Sequence, residues 1–259
     1  MLFRSPAQQP VFCTLRWSGH ALSLGGALDS IRRLCDRIFS RRSRVASSAL
    51  GNHTGRTLDM SMEEILDFWF GPVSEDGLCD DAFVSRWFRK DSTFDAEIRA
   101  QFGWVYAQLA VREQAPPAWL SGARGTLAAI IVLDQFSRNM FRDSASMFAA
   151  DAQARALCFE MIALGYDRQL PAALRTFVYM PLMHSERLVD QERCVELFQS
   201  MADELHGEAK KQVMNNVKYA IAHRDIVARF ARFPHRNRLL GRVSSAEEEA
   251  FLKQPGSSF

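Results

Sequence analysis

TLAAIIVLDQF, residues Thr126 to Phe136, is apolar on nearly every side when wound as a helix. A helix without a wet face is one buried from most directions. The stretch is therefore placed at the centre of the fold, and the rest of the chain is read as helices packed around it. On its N-terminal side, Phe94, Ile98, Phe102, Val105 and Leu109 recur at helical steps and make one continuous apolar face. Ser92 is the expected cap of that helix, and Pro116-Pro117 ends it. Before it come two short helices. Met62 to Phe70 has acids in its first turn and Gly71-Pro72 as its stop, and Asp80 to Lys90 carries Phe83, Trp87 and Phe88.

On the C-terminal side, Asp151 to Leu164 is amphipathic through Leu157, Met161 and Leu164, with Gly165 supplying a left-handed end. Pro171 suits the first position of the next helix, whose inner face is Leu174, Phe177 and Val178, and Pro181 should kink or end it. Glu186 to Leu205 turns Leu188, Cys194, Val195, Phe198 and Met201 inward and stops at Gly207; Glu208 to Phe230 is the longest helix. Ser245 and Glu248 have capping-box spacing before a last short helix over Phe251 and Leu252. No window alternates like a half-buried strand, and short connections between helices force antiparallel neighbours. The expectation is an all-α fold of antiparallel helical hairpins. No fixed period recurs, so any helical repeat is degenerate.

With 259 residues, 47% hydrophobic and 24% charged, the chain is long enough for one domain, expected over residues 60–259, plus an appendage. The net charge of +2 hides an asymmetry, because residues 1–59 hold nine arginines and three aspartates. That Arg/Ser-rich extension is expected to be disordered. It reads either as a mitochondrial transit peptide or as a misassigned start, in which case Met60 or Met62 begins a cytoplasmic protein. The remaining body is mildly acidic, which argues against nucleic acid as partner. No apolar run reaches the roughly 20 residues that span a bilayer. Five scattered cysteines with no CxxC pair signal neither a disulfide framework nor a zinc knuckle.

Polar residues gather in a few runs at helix ends, and these are where chemistry is sought. Asp134 and Arg138 are four apart, so they pair on a helix; Asp134 either orients Arg138 toward an anion or forms an ordinary ion pair with it. His184 with Glu186 follows the Pro181 position and is expected to open a helix. There His184 is a candidate general base held by the Glu186 carboxylate, or simply a cap. His223 and Asp225 diverge on one helix, and a three-histidine zinc site from His184, His223 and His235 requires the helix ends to converge. Phe233-Pro-His-Arg-Asn-Arg238 breaks a helix and is expected to expose His235 and Arg236 in a turn, the best candidate for anion binding. Cys194 reads as a core thiol.

ILDFWFG (Ile65 to Gly71), LDQFSRNMFR (Leu133 to Arg142), YMPLMHSERLVDQE (Tyr179 to Glu192), AHRDIVARFARFPHRNRLLGR (Ala222 to Arg242) and EEEAFLKQPGSSF (Glu247 to Phe259) together resemble the family called domain of unknown function 924. The resemblance implies a tetratricopeptide-like, right-handed helical array. It also singles out Asp134, Gln135, Arg138, Asn139, His184, Glu186, Gln191, Glu192, His223, Arg224, His235, Arg236 and Asn237 as candidate polar positions. Ser137 stands where the family usually has proline. No activity, substrate or cofactor comes with the resemblance. The leading expectation is a module holding a small anionic molecule or peptide through Arg138, His184, His235 and Arg236, with Asp134, Asn139, His223, Arg224 and Asn237 beside them. The rival is a small hydrolase or isomerase with His184 or His235 as base and Glu186 as orienting carboxylate. A third possibility is a structural interaction module in which these residues only interlock the helices.

Overall fold

The computed structural model describes residues 61–111 and 117–258. The extension 1–59, the Met60 start and Pro116 lie outside the described residues.

The first helix, α1 (Met62–Phe70), starts at a reciprocal capping box between Ser61 and Glu64. It stops at Gly71, whose φ of +61° suits glycine and where a Cβ would run into the Phe83 ring. After α2 (Asp81–Trp87) comes α3 (Ser92–Val111). The cap of α3 is Asp91, not Ser92: its Oδ1 accepts from the backbone N–H groups of Thr93 and Phe94, at 3.0 and 3.2 Å. Phe94, Ile98, Phe102, Val105 and Leu109 are all buried.

A short turn, α4 (Pro117–Leu120), leads into the central rod. The rod is α5 (Ala123–Ile130), continued without a break by a π-helical turn over Ile131–Phe136 and by α6 (Ser137–Met140). Every residue from Gly125 to Ser137 is buried. Gly125 permits a close approach, since a Cβ there would overlap the Trp119 carbonyl and the Met62 sulfur. Aromatic rings fill the space on the α1–α3 side, with Phe102 against Phe136 at 4.7 Å between centroids and Trp87 against Phe177 at 4.8 Å.

The C-terminal half comprises α7 (Asp151–Ala163), α8 (Ala172–Met183), α9 (Leu188–Glu204) and α10 (Gly207–Phe230). The two-residue link between α9 and α10 makes them an antiparallel hairpin. Three expectations are corrected here. Pro181 does not itself end α8; it sits in the last turn, and the helix runs on to Met183. Pro171 is the cap of α8, not its first residue. Leu164 and Leu188 are 54% and 40% exposed, because they fall at helix ends where the buried face has already turned away.

A left-handed residue, Ala231 at φ 56°, ends α10. Beyond it, a 3-10 turn over Pro234–Arg236 and α11 (Ala246–Leu252) close the chain, the latter opened by the expected Ser245–Glu248 capping box. Ile226, Val227 and Phe233, with Phe230 and Phe251 against them, form a small apolar cluster separate from the main core. Among the described residues the structure is all-α. An isolated bridge between Val73 and Cys79 is the extended pairing found there, and no described helix is long and apolar enough to cross a membrane.

Candidate functional site

The π-helical turn decides what the central rod presents to its neighbours. An inserted π turn shifts the register of the side chains that follow it, and such turns often mark functional sites. Here it carries Asp134, which is 0% exposed. The sequence expectation that Asp134 and Arg138 face each other holds, with Arg138 Nη1 3.1 Å from Asp134 Oδ1 and donating to the Asp134 carbonyl at 2.7 Å. Arg138 also forks onto Asp151 at the start of α7, through Nη1 to Oδ1 at 3.0 Å and Nη2 to Oδ2 at 3.2 Å. In the sequence Asp151 was only the first residue of an amphipathic helix; in the structure both Arg138 and Arg236 approach it.

His184 ends α8, so the expected helix start at this histidine is corrected. Its Nδ1 lies 2.9 Å from Asp134 Oδ1, while Gln135 donates to Asp134 Oδ2 at 2.6 Å. Burial pushes the Asp134 carboxyl up, but Arg138 and His184 together outweigh burial and hold it below the usual carboxylate range. The same burial, with the Arg138 charge, holds His184 below the ordinary histidine value despite Asp134. A neutral His184 beside an ionised Asp134 places its proton on Nδ1, donating to Asp134, and leaves a lone pair on Nε2. That nitrogen has no hydrogen bond among the described residues.

The turn at Pro234–Arg236 was expected to be exposed, and it is not. Phe233 is 0% and Arg236 7% exposed, because Phe233 plugs the small cluster and draws the following residues inward. The Arg236 guanidinium is sandwiched by Phe148 at 4.6 Å and Phe233 at 4.5 Å. Its nearest carboxylate oxygen, Asp151 Oδ2, is 3.6 Å away, outside hydrogen-bond reach. Arg236 Nε is buried without a partner, and no other guanidinium hydrogen bond is made among the described residues. Burial, and next the nearby Arg138 charge, lower its pKa to about 10.

The other histidines border the same region. His223 Nδ1 donates to the Tyr219 carbonyl at 2.7 Å with the ring edge-on to Phe233, and burial drives its pKa to about 3. His235 lies 5.5 Å from the Phe233 ring, has its Nδ1 buried without a partner, and is lowered to about 4 by burial and by Arg236. The charges of His184, His235 and Arg236 all bear on His223. Arg138 and His184 thus meet at Asp134, Arg138 and Arg236 approach each other across Asp151, and His223 and His235 join Arg236 around the Phe233 ring.

Several candidates are placed elsewhere. Glu186 lies in the link between α8 and α9 and turns away from His184. It accepts from both Arg242 terminal nitrogens, at 2.7 and 2.9 Å, and from the Phe233 N–H at 2.9 Å. The expected Glu186–His184 pair is therefore corrected: the carboxylate orienting His184 is Asp134, fifty residues away in sequence. Asn139 donates to Asp95, which also holds Arg142, tying α6 to α3. Arg224 pairs with its neighbour Asp225 on the outer face of α10. Asn237 donates to Ser244 and Glu248, and Gln191 satisfies the end of α8 through the Leu182, Met183 and Ser185 carbonyls. No group of three or more His, Cys, Asp or Glu among the described residues is arranged to hold a metal ion. Phe148, half of the clamp on Arg236, gave no signal in sequence because its partners come from distant segments.

Comparison with known proteins agrees with the motifs. Residues 65–256 match the family model described as "Bacterial protein of unknown function (DUF924)". A solved structure of a protein of unknown function from Agrobacterium tumefaciens is 36% identical, with a TM-score of 0.62 over 74% of this chain and 96% of that one. None of the curated proteins matches the chain. A family match running from α1 into the C-terminal tail takes in the π turn, His184 and the Arg236 turn alike, and this chain belongs to the DUF924 family.

Proposed function

We propose that this protein binds a small anionic molecule, bearing a carboxylate or a phosphate, on the guanidinium of Arg236. One observation carries the reading: a cation that is 7% exposed, clamped by two rings, makes no hydrogen bond among the described residues. Buried charges are ordinarily paired and hydrogen-bonded, so the unused donors of this buried arginine call for a partner, which an anion from outside would supply. Arg236 presents a rigid fork that matches carboxylate and phosphate geometry. Its small exposed surface favours a small molecule over a peptide. Asp151 shares its charge with Arg138, and this leaves Arg236 the less satisfied of the two cations.

The test uses Arg236→Met, which keeps the length and the stacking but removes the charge. Succinate and inorganic phosphate should raise the melting temperature of the wild-type protein. At a concentration 100 times Kd that gain corresponds to about 2.7 kcal/mol. R236M should show no such rise. Without added anion, R236M should be as stable as wild type or more so, since replacing a buried charge that makes no hydrogen bond by an apolar side chain removes a desolvation penalty. A sharp loss of stability in R236M with no anion response in either protein would instead favour the purely structural reading.

A further inference from the structure

The geometry points to hydrolysis as the activity of this site: Asp134 and His184 form a base that activates water against an ester of the small anionic molecule held on Arg236. This rests on the anion-binding reading above and assigns it a reaction. Three observations support it. First, His184 Nδ1 is anchored 2.9 Å from a fully buried carboxylate, which fixes the tautomer and orientation of the ring. Second, Nε2 has no hydrogen bond among the described residues, and the side chain keeps 13% of its surface accessible. Third, Arg138 bridges Asp134 and Asp151, and Asp151 in turn adjoins Arg236, so the base and the anion contact belong to one connected set of charges.

The nucleophile is assigned to water because the neighbouring protein groups are engaged or inert. The Ser137 hydroxyl donates to the Asp134 carbonyl and the Ser185 hydroxyl to Asp190. Cys158 and Cys194 are fully buried, and burial pushes both thiols well above the usual range. In the step, His184 Nε2 takes a proton from water as the water oxygen bonds to the acyl carbon, and the carbonyl π pair moves to oxygen. Collapse of the adduct re-forms the carbonyl and breaks the ester C–O bond, and the leaving oxygen takes the proton back from His184. Asp134 stays ionised throughout and acts as a positioning residue. The products are a carboxylic acid and an alcohol, with the imidazole restored.

The experiment compares 4-nitrophenyl hemisuccinate, an anionic ester, with neutral 4-nitrophenyl acetate. The expected result is a kcat/KM for the hemisuccinate at least about 10-fold above that for the acetate, a preference lost in R236Q. His184→Gln should lower hemisuccinate turnover by ~100-fold or more while its circular dichroism spectrum and melting temperature report an intact fold. The pH profile of kcat/KM should rise from the acid side, with its inflection below the ordinary histidine value, and stay flat above neutrality. Hemisuccinate turnover no faster than buffer, or turnover unchanged in H184Q, overturns the proposal. Calorimetric titration of the wild-type protein with succinate separates the two readings. Binding without hydrolysis removes the base and keeps the anion site; no binding and no hydrolysis removes both.

Discussion

Removing the Glu186 carboxylate should release the C-terminal segment from the helical body. Glu186 holds both terminal nitrogens of Arg242 at 2.7 and 2.9 Å and the Phe233 N–H at 2.9 Å, and Arg242 also donates to the Phe233 carbonyl. Deleting one partner of a buried ion pair costs about 3–5 kcal/mol. This pair is 27% and 24% exposed, so water re-solvates part of what is lost, and the expectation for Glu186→Ala falls to about 2–3 kcal/mol. Urea denaturation at pH 7 measures the total. Hydrogen exchange locates it, because the Phe233 amide loses its acceptor and exchange should rise across residues 233–248 while α3 and α5 stay protected. Phe233 also forms one wall of the clamp on Arg236, so the anion response should weaken in the same variant. A stability change under about 0.5 kcal/mol with no altered exchange in that segment would refute the account of Glu186 as the link between body and tail.

The fold should lose stability as pH falls from neutrality toward 4, because burial holds His223 at about 3 and His235 at about 4, while the unfolded chain takes up protons below the ordinary value of 6.5. Each histidine that stays neutral contributes a slope of up to about 1.4 kcal/mol per pH unit in that window, and His223→Gln or His235→Gln should flatten urea midpoints measured at pH 7, 6 and 5. Asp134 and Glu186, both held low, stabilise the fold above the usual carboxylate range and lose that contribution only as pH falls further, through their depressed values. Asp134→Asn should cost about 3–5 kcal/mol in chemical denaturation, since it strips a partner from Arg138 in a fully buried position. Gly125→Ala should lower the melting temperature, because the clash with the Trp119 carbonyl of α4 outweighs the gain in helix propensity.

What the sequence made legible follows from the range of the forces involved. The α3 face of Phe94, Ile98, Phe102, Val105 and Leu109 was readable because helical periodicity is a local property. The Ser245–Glu248 capping box was readable for the same reason, since both partners lie within one turn. Asp134 with Arg138 was readable as an i, i+4 pair. The π turn was not, because nothing in TLAAIIVLDQF distinguishes a five-residue closure from a four-residue one once packing on all sides decides the matter. The pairing of His184 with Glu186 failed for a related reason. Nearness in sequence suggested it, but the link between α8 and α9 points the two side chains in different directions, and tertiary docking supplies Asp134 instead. Arg236 looked exposed because it follows a proline in a basic run; the burial of Phe233 in a second cluster, which no local pattern reveals, turns it inward.

The candidate site lies where two separately packed regions meet. Asp134, Arg138, Asp151 and His184 belong to the helical body, and their mutual contacts form without the tail. Arg236 belongs to the tail, which packs on the last turns of α10 through a small and therefore weakly cohesive apolar cluster. A buried guanidinium without hydrogen bonds opposes docking of that tail, and the Glu186–Arg242 pair, with the Phe233 N–H, supplies the favourable contacts that offset it. An anion on Arg236 would remove the opposing term. Binding at the site and closure of the tail are then linked: whatever stabilises the docked tail raises affinity, and by reciprocity the anion must protect the same backbone from exchange. The 233–248 segment of the wild-type protein should accordingly exchange more slowly in saturating succinate. An anion that binds without slowing that exchange would be seated somewhere other than on Arg236.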